Sequence, residues 1–167
     1  MYPGRRLQLV PKMSNPLIIL VDGDACPVKE EIFKVCFRYN VPAVLVANSW
    51  LRIPRHELLT MKVVSDGFDA ADDYIADEAN GRSIVITTDI LLADRCLKVG
   101  ACVLSPTGKP FTEDSIGAAI ATRAIMNDLR GSGDQQGGGG PAPFSKGDRS
   151  RFLSVLDETI VRMQRLT

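Results

Sequence analysis

The stretch LIILVDGDACPVKEEI, residues 17–32, indicates how the chain folds. Its apolar run is typical of a buried strand. Two carboxylates follow, Asp22 and Asp24, with Gly23 between them, and Pro27 opens a segment with helical periodicity. Like charges at the end of a buried strand are unfavourable unless something compensates them. Three interpretations compete: a metal site, a nucleophile for phosphoryl transfer, and an ordinary helix cap.

The alternation of strand and helix continues along the chain. Apolar runs predict strands at 16–22, 43–47, 61–65, 83–88 and 101–105, and helical patterns occupy 27–40, 69–80, 89–100, 112–130 and 145–166. This alternation indicates an α/β domain with a mostly parallel sheet, whose strands are apolar throughout because helices cover both faces. Ligands of such sheets bind beyond the carboxyl ends of the strands, so acids at those ends are site candidates.

The length of 167 residues favours one domain, which we predict at 15–167. Residues 1–14 are expected to be a disordered extension. The glycine-rich segment 131–144 is expected to be a flexible linker that leads to a C-terminal helix at 145–166. The apolar stripe of that helix predicts that it docks on the core.

Composition excludes several classes of protein. The formal net charge is zero, with 20 basic and 20 acidic side chains, so nucleic-acid binding must use a local surface or a metal. No apolar run approaches the ~20 residues of a membrane span, and we expect neither a signal peptide nor membrane binding. The four cysteines lack zinc-site spacing, which predicts buried thiols in a reducing cytoplasm. Cys26, near a helix start, is either a thiol of lowered pKa or a small packed residue.

Acidic residues recur at three places: the pair Asp22 and Asp24; the helix bearing Asp69, Asp72, Asp73 and Asp77; and Asp89 with Asp94. Neighbouring acids on one helix face repel, and a divalent cation such as Mg²⁺ or Mn²⁺ would remove that penalty. Taken singly, Asp24, Asp69 and Asp89 could each cap a helix, and Asp94 could be a solvated charge. Capping does not explain Asp22, because its helix starts five residues later.

The segment SWLRIPRHELLTMK, residues 49–62, combines basic and aromatic residues. Trp50, Arg52 and Arg55 are candidates for holding a nucleic acid through base stacking and phosphate contacts. Alternatively, Trp50 belongs to the core and Arg52 pairs with an acid. Histidine occurs once, as His56, so a histidine-based nucleophilic site is not expected.

Several stretches together resemble the YaiI/YqxD family of bacterial proteins, whose biological function is unknown. They are VDGDACPVKEEI, VLVANSWLRIP, VVSDGFDAADDYI, SIVITTDILLADRCLKVGA and VLSPTGKPFTEDSI. Members of that family usually carry D-A-D-A-C-P, where this chain has Gly23 in place of the first alanine. The family is similar in fold to the PIN-like nucleases. This implies a three-layer α/β/α domain with a central, mostly parallel sheet of about four or five strands and C-terminal helices.

The resemblance also implies a set of acids that hold Mg²⁺ or Mn²⁺: Asp22 and Asp89 after strands, Asp69 or Asp72 on the middle helix, and Asp24 and Asp94 in support. The expected function is metal-dependent hydrolysis of RNA, with Asp22, Asp72 and Asp89 as catalytic residues. Two alternatives stay open. One is a phosphatase similar to the haloacid-dehalogenase group, with Asp22 as nucleophile and Asp24 as acid. The other is a non-catalytic module that binds metal or RNA.

Overall fold

The computed structural model describes residues 16–65, 67, 69–131 and 144–166. The strands are β1 (Ile18–Asp22), β2 (Ala43–Ala47), β3 (Leu59–Val63), β4 (Ser83–Ile86) and β5 (Cys102–Leu104). The helices are α1 (Lys29–Tyr39), α2 (Ala70–Glu78), α3 (Ile90–Lys98), α4 (Glu113–Gly131) and α5 (Lys146–Arg165), and a 3₁₀ turn, Gly23–Ala25, follows β1. The expected disordered extension at 1–14 and residues 132–143 of the expected linker lie outside the described residues. No helix in the described ranges is long and apolar enough to cross a membrane.

The five strands form one parallel sheet in the order β3-β2-β1-β4-β5. The chain first moves outward from β1 through β2 to β3, and then returns to place β4 on the other side of β1. The crevice at such a reversal is where open parallel sheets bind ligands. Here Asp22 ends β1 and Asp89 follows β4, so both flank the reversal. The predicted α/β fold is confirmed.

Alternate residues of each strand face opposite helix layers, as the strand period of two requires. Ile19 and Val21 of β1 belong to a core shared with α1 and α5, whereas Leu20 belongs to a second core shared with α2 and α3. In β4, Ile84 faces the first core and Val85 the second. The sheet therefore lies between two helix layers, which confirms the three-layer arrangement.

The C-terminal helix docks on the first core, as its apolar stripe predicts. Its buried residues include Phe152, Leu156, Ile160 and Met163. Near its start, the Arg149 guanidinium donates to the carbonyl oxygen of Pro27 at 2.8 Å. Near its end, the Arg82 guanidinium donates to the carbonyl oxygen of Met163 at 2.7 Å. Pro27 follows β1 and Arg82 precedes β4, so α5 runs from the carboxyl edge of the sheet to its amino edge.

The limits of several strands differ from the prediction, and β3 and β4 show why. The third strand, expected at 61–65, lies at Leu59–Val63, because it pairs with β2 in a register that begins at Ala43 and Leu59. The fourth strand stops at Ile86, before Thr87, because the Thr87 side chain bonds to groups at the carboxyl edge of the sheet. Hydrogen-bond partners distant in sequence set both limits.

Gly81 follows the predicted helix at 69–80 and Gly100 closes the one at 89–100, so the sequence predicts that each glycine ends its helix, but only Gly100 does so. Gly100 follows α3 with a φ of 90°, and its N–H donates to the carbonyl oxygen of Leu97 at 2.9 Å. The prediction that Gly81 ends α2 is wrong, because α2 stops at Glu78. The chain turns there through Asn80, whose Oδ1 accepts from the Arg82 N–H at 2.7 Å.

Candidate functional site

The carboxyl edge of the sheet carries Asp22 as the last residue of β1. Its Oδ2 atom accepts a hydrogen bond of 2.9 Å from the Thr87 hydroxyl. The pKa of Asp22 is raised above its ordinary value, chiefly by burial. The Thr87 hydrogen bond lowers it, and the charges of Asp24 and Asp89 raise it further. Asp22 is therefore a partly buried acid whose charged neighbours are other acids.

Asp89 has two structural roles. As the N-cap of α3, its Oδ1 atom accepts from the N–H groups of Leu91 and Leu92 at 2.9 and 3.1 Å, which confirms the capping interpretation. Its own N–H donates to the Thr87 hydroxyl oxygen at 3.0 Å. The buried Thr87 hydroxyl therefore joins Asp22 to the helix cap. This role of Thr87 was not predicted from the sequence. The one indication in the sequence is a hydroxyl side chain two residues before Asp89.

Asp72, in the first turn of α2, is the third acid at this edge. Its pKa is raised to about 6 by burial, by the charges of Asp89 and Asp22, by a hydrogen bond shared with Asp89, and by the charge of Asp69. Two carboxyl groups can share a hydrogen bond only when one carries a proton. The proton that Asp72 binds below about pH 6 can serve such a hydrogen bond, whereas at neutral pH the carboxylates of Asp72 and Asp89 repel each other.

Asp69 stands at the N-cap position of α2, but its side chain makes no capping hydrogen bond. The interpretation of Asp69 as a capping side chain is therefore wrong. The carboxylate is exposed, and its charge contributes to the raised pKa of Asp72. Asp69 thus belongs electrostatically to the same group of acids.

Asp24, on the 3₁₀ turn, holds a loop instead of capping a helix. Both of its carboxylate oxygens accept from the Asn48 N–H, at 3.3 and 3.2 Å. The N-cap residue of α1 is Val28, without a side-chain cap, so the interpretation of Asp24 as a helix cap is wrong. The Asn48 side chain donates to the carbonyl oxygen of Ser65 at 2.8 Å, which links the segments that follow β2 and β3.

Three other acids lie apart from this site. Asp73 forms an ion pair of 3.0 Å with Arg95, and Asp94 forms one of 2.9 Å with Lys98. Asp77 is exposed further along α2. None of the three contributes to the raised pKa of Asp22 or of Asp72. We use the name acidic cluster for the remaining five: Asp22, Asp24, Asp69, Asp72 and Asp89.

An open cleft of about 650 Å³ lies beside the acidic cluster. Asp69, Asp72 and Asp89 line it, together with Arg95 and the half-exposed Leu91. The cleft is thus rich in carboxylates on one side and carries one cation. Its shape allows a ligand larger than a single ion to reach the acids.

The donor atoms of the acidic cluster suit a divalent cation. All are carboxylate oxygens, the hard ligands that Mg²⁺ and Mn²⁺ prefer. Among the residues that the structure describes, no group of three or more His, Cys, Asp or Glu side chains is arranged to hold a metal ion. Mg²⁺ usually binds only one or two protein carboxylates and keeps several waters. Asp72 and Asp89, which both line the cleft and whose charges interact, are the pair that best fits this requirement.

The cysteines behave as packed residues. Cys26 is buried in the first core, and burial raises the pKa of its thiol. The interpretation of Cys26 as a thiol of lowered pKa is therefore wrong, and the small packed residue is confirmed. Cys36 and Cys96 are buried as predicted, whereas Cys102 is partly exposed; all four are free thiols.

The loop that carries Trp50, Arg52 and Arg55 lies on the surface of the protein. Trp50 is 72% exposed, so its assignment to the core is wrong. Arg52 and Arg55 are exposed as well. Within the described ranges neither arginine forms an ion pair, so the expected pairing of Arg52 with an acid is not found there.

These features define an α/β protein that collects carboxylates at the carboxyl edge of a parallel sheet. The model of the uncharacterised BCR, YaiI/YqxD family matches residues 20–162, and the chain belongs to that family. A UPF0178 protein of Sphingopyxis alaskensis is 63% identical over 153 residues, which cover 92% of this chain and 98% of that protein. A UPF0178 protein of Jannaschia sp. is 53% identical over 147 residues, 88% of this chain and 94% of that protein. The family resemblance is confirmed, and the likeness to PIN-like nucleases stays a prediction.

Proposed function

We propose that this protein hydrolyses phosphodiester bonds of RNA with the help of Mg²⁺ or Mn²⁺. The observation that supports this proposal is the raised pKa of Asp22 and of Asp72, which burial causes first and the charges of neighbouring acids, Asp89 among them, increase further. The three acids belong to segments that end or follow β1, β3 and β4, so the fold itself brings them together. Acids that repel one another beside an open cleft suit a cationic cofactor and a phosphate-bearing substrate.

Asp72 and Asp89 would hold the cation together with Asp22, with Asp24 and Asp69 in support. The bound cation would lower the pKa of the attacking water and neutralise charge on the phosphoryl oxygens. Thr87 orients the Asp22 carboxylate through its hydroxyl, and the first turn of α3 fixes one oxygen of Asp89. In the reaction, water adds at phosphorus, the bond to the leaving sugar oxygen breaks, and that oxygen takes up a proton.

The substrate strand would lie across the loop that carries Trp50, Arg52 and Arg55. Arg52 and Arg55 offer guanidinium groups to phosphates, and the exposed indole of Trp50 offers a face to a base. We also infer a reducing cytoplasm as the setting, because the four cysteines are free and three of them are buried.

Hydrolysis of a labelled RNA in the presence of Mn²⁺ tests the proposal. Asp22→Asn and Asp89→Asn should each lower the rate by about a hundredfold or more, since even residues behind a metal ligand are worth ~10–100-fold. Asparagine can still accept the Thr87 hydrogen bond at position 22 and can still cap α3 at position 89. Asp94→Asn, outside the acidic cluster, is the matched control and should retain the wild-type rate. Equal rates in all four proteins would reject the proposal.

The two alternatives predict different outcomes. A phosphatase would form an aspartyl-phosphate at Asp22, which a fluoride–metal analogue would trap. Such a phosphatase also needs a lysine further along the chain; Lys98 is a poor candidate for it, and its ammonium group forms an ion pair with Asp94. A binding module would give a calorimetric signal with Mn²⁺ but no hydrolysis in any variant.

A further inference from the structure

The loop after β2, residues 48–58, is fastened to the turn that carries the acids. The Asn48 N–H donates to Asp24 at 3.2 Å, and the side chain of Leu51 packs directly over Gly23. A Cβ atom at Gly23 would lie only 2.9 Å from Leu51 Cδ1. Trp50 lies between these two attachment points in the sequence. The backbone on both sides of Trp50 is therefore fixed to the turn that carries Asp24.

Trp50 is exposed in a way that core packing does not explain. It is the single tryptophan of the chain, and 72% of it is accessible to solvent. Tryptophan is usually largely buried, and large exposed aromatic rings often mark a binding surface. A flat, exposed indole offers a stacking face for a nucleobase.

The charges around Trp50 complement a nucleic-acid backbone. A groove of about 570 Å³ is lined by Trp50 together with Arg52, Arg55 and His56. A second groove, of about 750 Å³, adjoins it through Arg52 and brings in Arg149. Glu30 and Glu31 also line the second groove, and Arg149 approaches Glu31 at 3.4 Å, so the second groove is less suited to phosphate. The groove beside Trp50 is the one in which the lining charges are cationic.

We propose that Trp50, Arg52 and Arg55 form a nucleotide subsite that accepts only an unpaired strand, with the base stacked on the indole and the adjacent phosphates on the two guanidinium groups. The inference rests on the proposed function for the nature of the ligand, a polynucleotide. An exposed indole can cover a base face only where no neighbouring base occupies that face, which excludes the interior of a duplex. Trp50 is thus a specificity-determining residue, and the acidic cluster plays no part in this discrimination.

The fluorescence of the single tryptophan reports base stacking directly. We would titrate the full chain, in buffer with EDTA so that no hydrolysis occurs, with an oligouridylate of about eight nucleotides, within the ~4–16 nucleotides of known single-strand sites. The same strand paired with its complement and the deoxy version serve as further arms. The single strands should quench the fluorescence, and the duplex should bind about tenfold more weakly or worse. A difference between the ribose and deoxyribose strands would identify the sugar that the subsite prefers.

Variants are compared by the anisotropy of a labelled oligouridylate. Trp50→Ala should weaken binding by about tenfold, and Trp50→Phe, which keeps an aromatic face, should lose less than about threefold. Leu166→Ala and Arg165→Ala are matched controls. They remove an exposed apolar side chain and an exposed cation near the end of α5, neither of which lines the groove beside Trp50, and should bind as wild type.

The results separate this inference from the proposed function. Trp50-dependent binding without hydrolysis would support the subsite and reject the nuclease. Hydrolysis that depends on Asp22 but not on Trp50 would overturn the subsite alone. Equal binding of duplex and single strand, or no binding of oligouridylate by the wild-type chain, would also overturn it.

Discussion

The amino and carboxyl edges of the parallel sheet differ in how their polar side chains are paired. At the amino edge, the groups satisfy one another. The Asn80 N–H donates to the Ser83 hydroxyl oxygen at 3.0 Å, and Asn80 Oδ1 accepts from the Arg82 N–H at 2.7 Å. The Arg82 guanidinium reaches the carbonyl oxygen of Met163 at 2.7 Å and so ties α5 to this edge.

At the carboxyl edge, Asp22, Asp24 and Asp89 accept hydrogen bonds, but within the described residues no ion pair neutralises the acidic cluster. The pKa of Asp22 and of Asp72 stays raised, first by burial and then by the charges of neighbouring acids. Proteins tolerate such local conflict mainly where a ligand relieves it. Under the proposed function, the amino edge stabilises the fold and the carboxyl edge binds the cation and the substrate.

The largest effect on stability is expected at the amino edge. Ser83→Ala should lower the free energy of unfolding by about 1–3 kcal/mol, because it leaves the Asn80 N–H without its acceptor beside a fully buried position. Urea denaturation measures the change. The control is Ser154→Ala on the exposed face of α5, which should stay within about 0.5 kcal/mol of wild type. A neutral Ser83→Ala would show that this edge is not built for stability.

A smaller effect of opposite sign is expected at the carboxyl edge. Asp72→Asn removes a charge that repels Asp89 and Asp22, so it should stabilise the protein in the absence of divalent cations. The gain should not exceed about 1 kcal/mol, because solvent screens this half-buried group. Asp73→Asn breaks the ion pair with Arg95 instead and should be neutral or slightly destabilising. A destabilised Asp72→Asn would remove the contrast between the two edges.

The smallest effect is a pH dependence of that gain. The pKa of Asp72 in the folded chain is about 6, above the ordinary value of 3.8, so the folded state binds the proton more tightly than the unfolded state. The unfavourable contribution of Asp72 is therefore full above about pH 6 and disappears as the pH falls through 6 toward 4. Thermal melts of wild type and Asp72→Asn should differ most near neutral pH and converge on acidification. A difference that is constant with pH would contradict this assignment.

Much of the fold follows from local patterns. The segments of β1 and β2 are apolar throughout, and α5 repeats its apolar residues at helical spacing, so their positions follow directly from the sequence. The limits of β3 do not, because its register with β2 places Leu59 opposite Ala43. The loop before β3, residues 48–58, mixes charged and apolar residues, so the sequence does not show where the strand begins.

In the candidate site, too, some contacts can be predicted from local sequence and others depend on the fold. Asp89 as a helix cap is readable from its position before α3. The pair of Asp94 and Lys98 has the spacing of four that favours an ion pair within a helix. Asp24 accepting from Asn48 is not readable, because 24 residues separate the partners and only the folded sheet brings them together. The Thr87 link to Asp22 depends on the same long-range placement.

The loop that bears Trp50 can pack as it does only because position 23 carries no side chain. An alanine at position 23 would place a methyl group 2.9 Å from Leu51 Cδ1 and 3.2 Å from the Val46 carbonyl oxygen. We expect the residues at positions 23 and 51 to vary together in evolution, with a bulkier first residue accompanied by a smaller second one. The position of the loop that bears Trp50 would then change with this pair of residues while every acid stays the same.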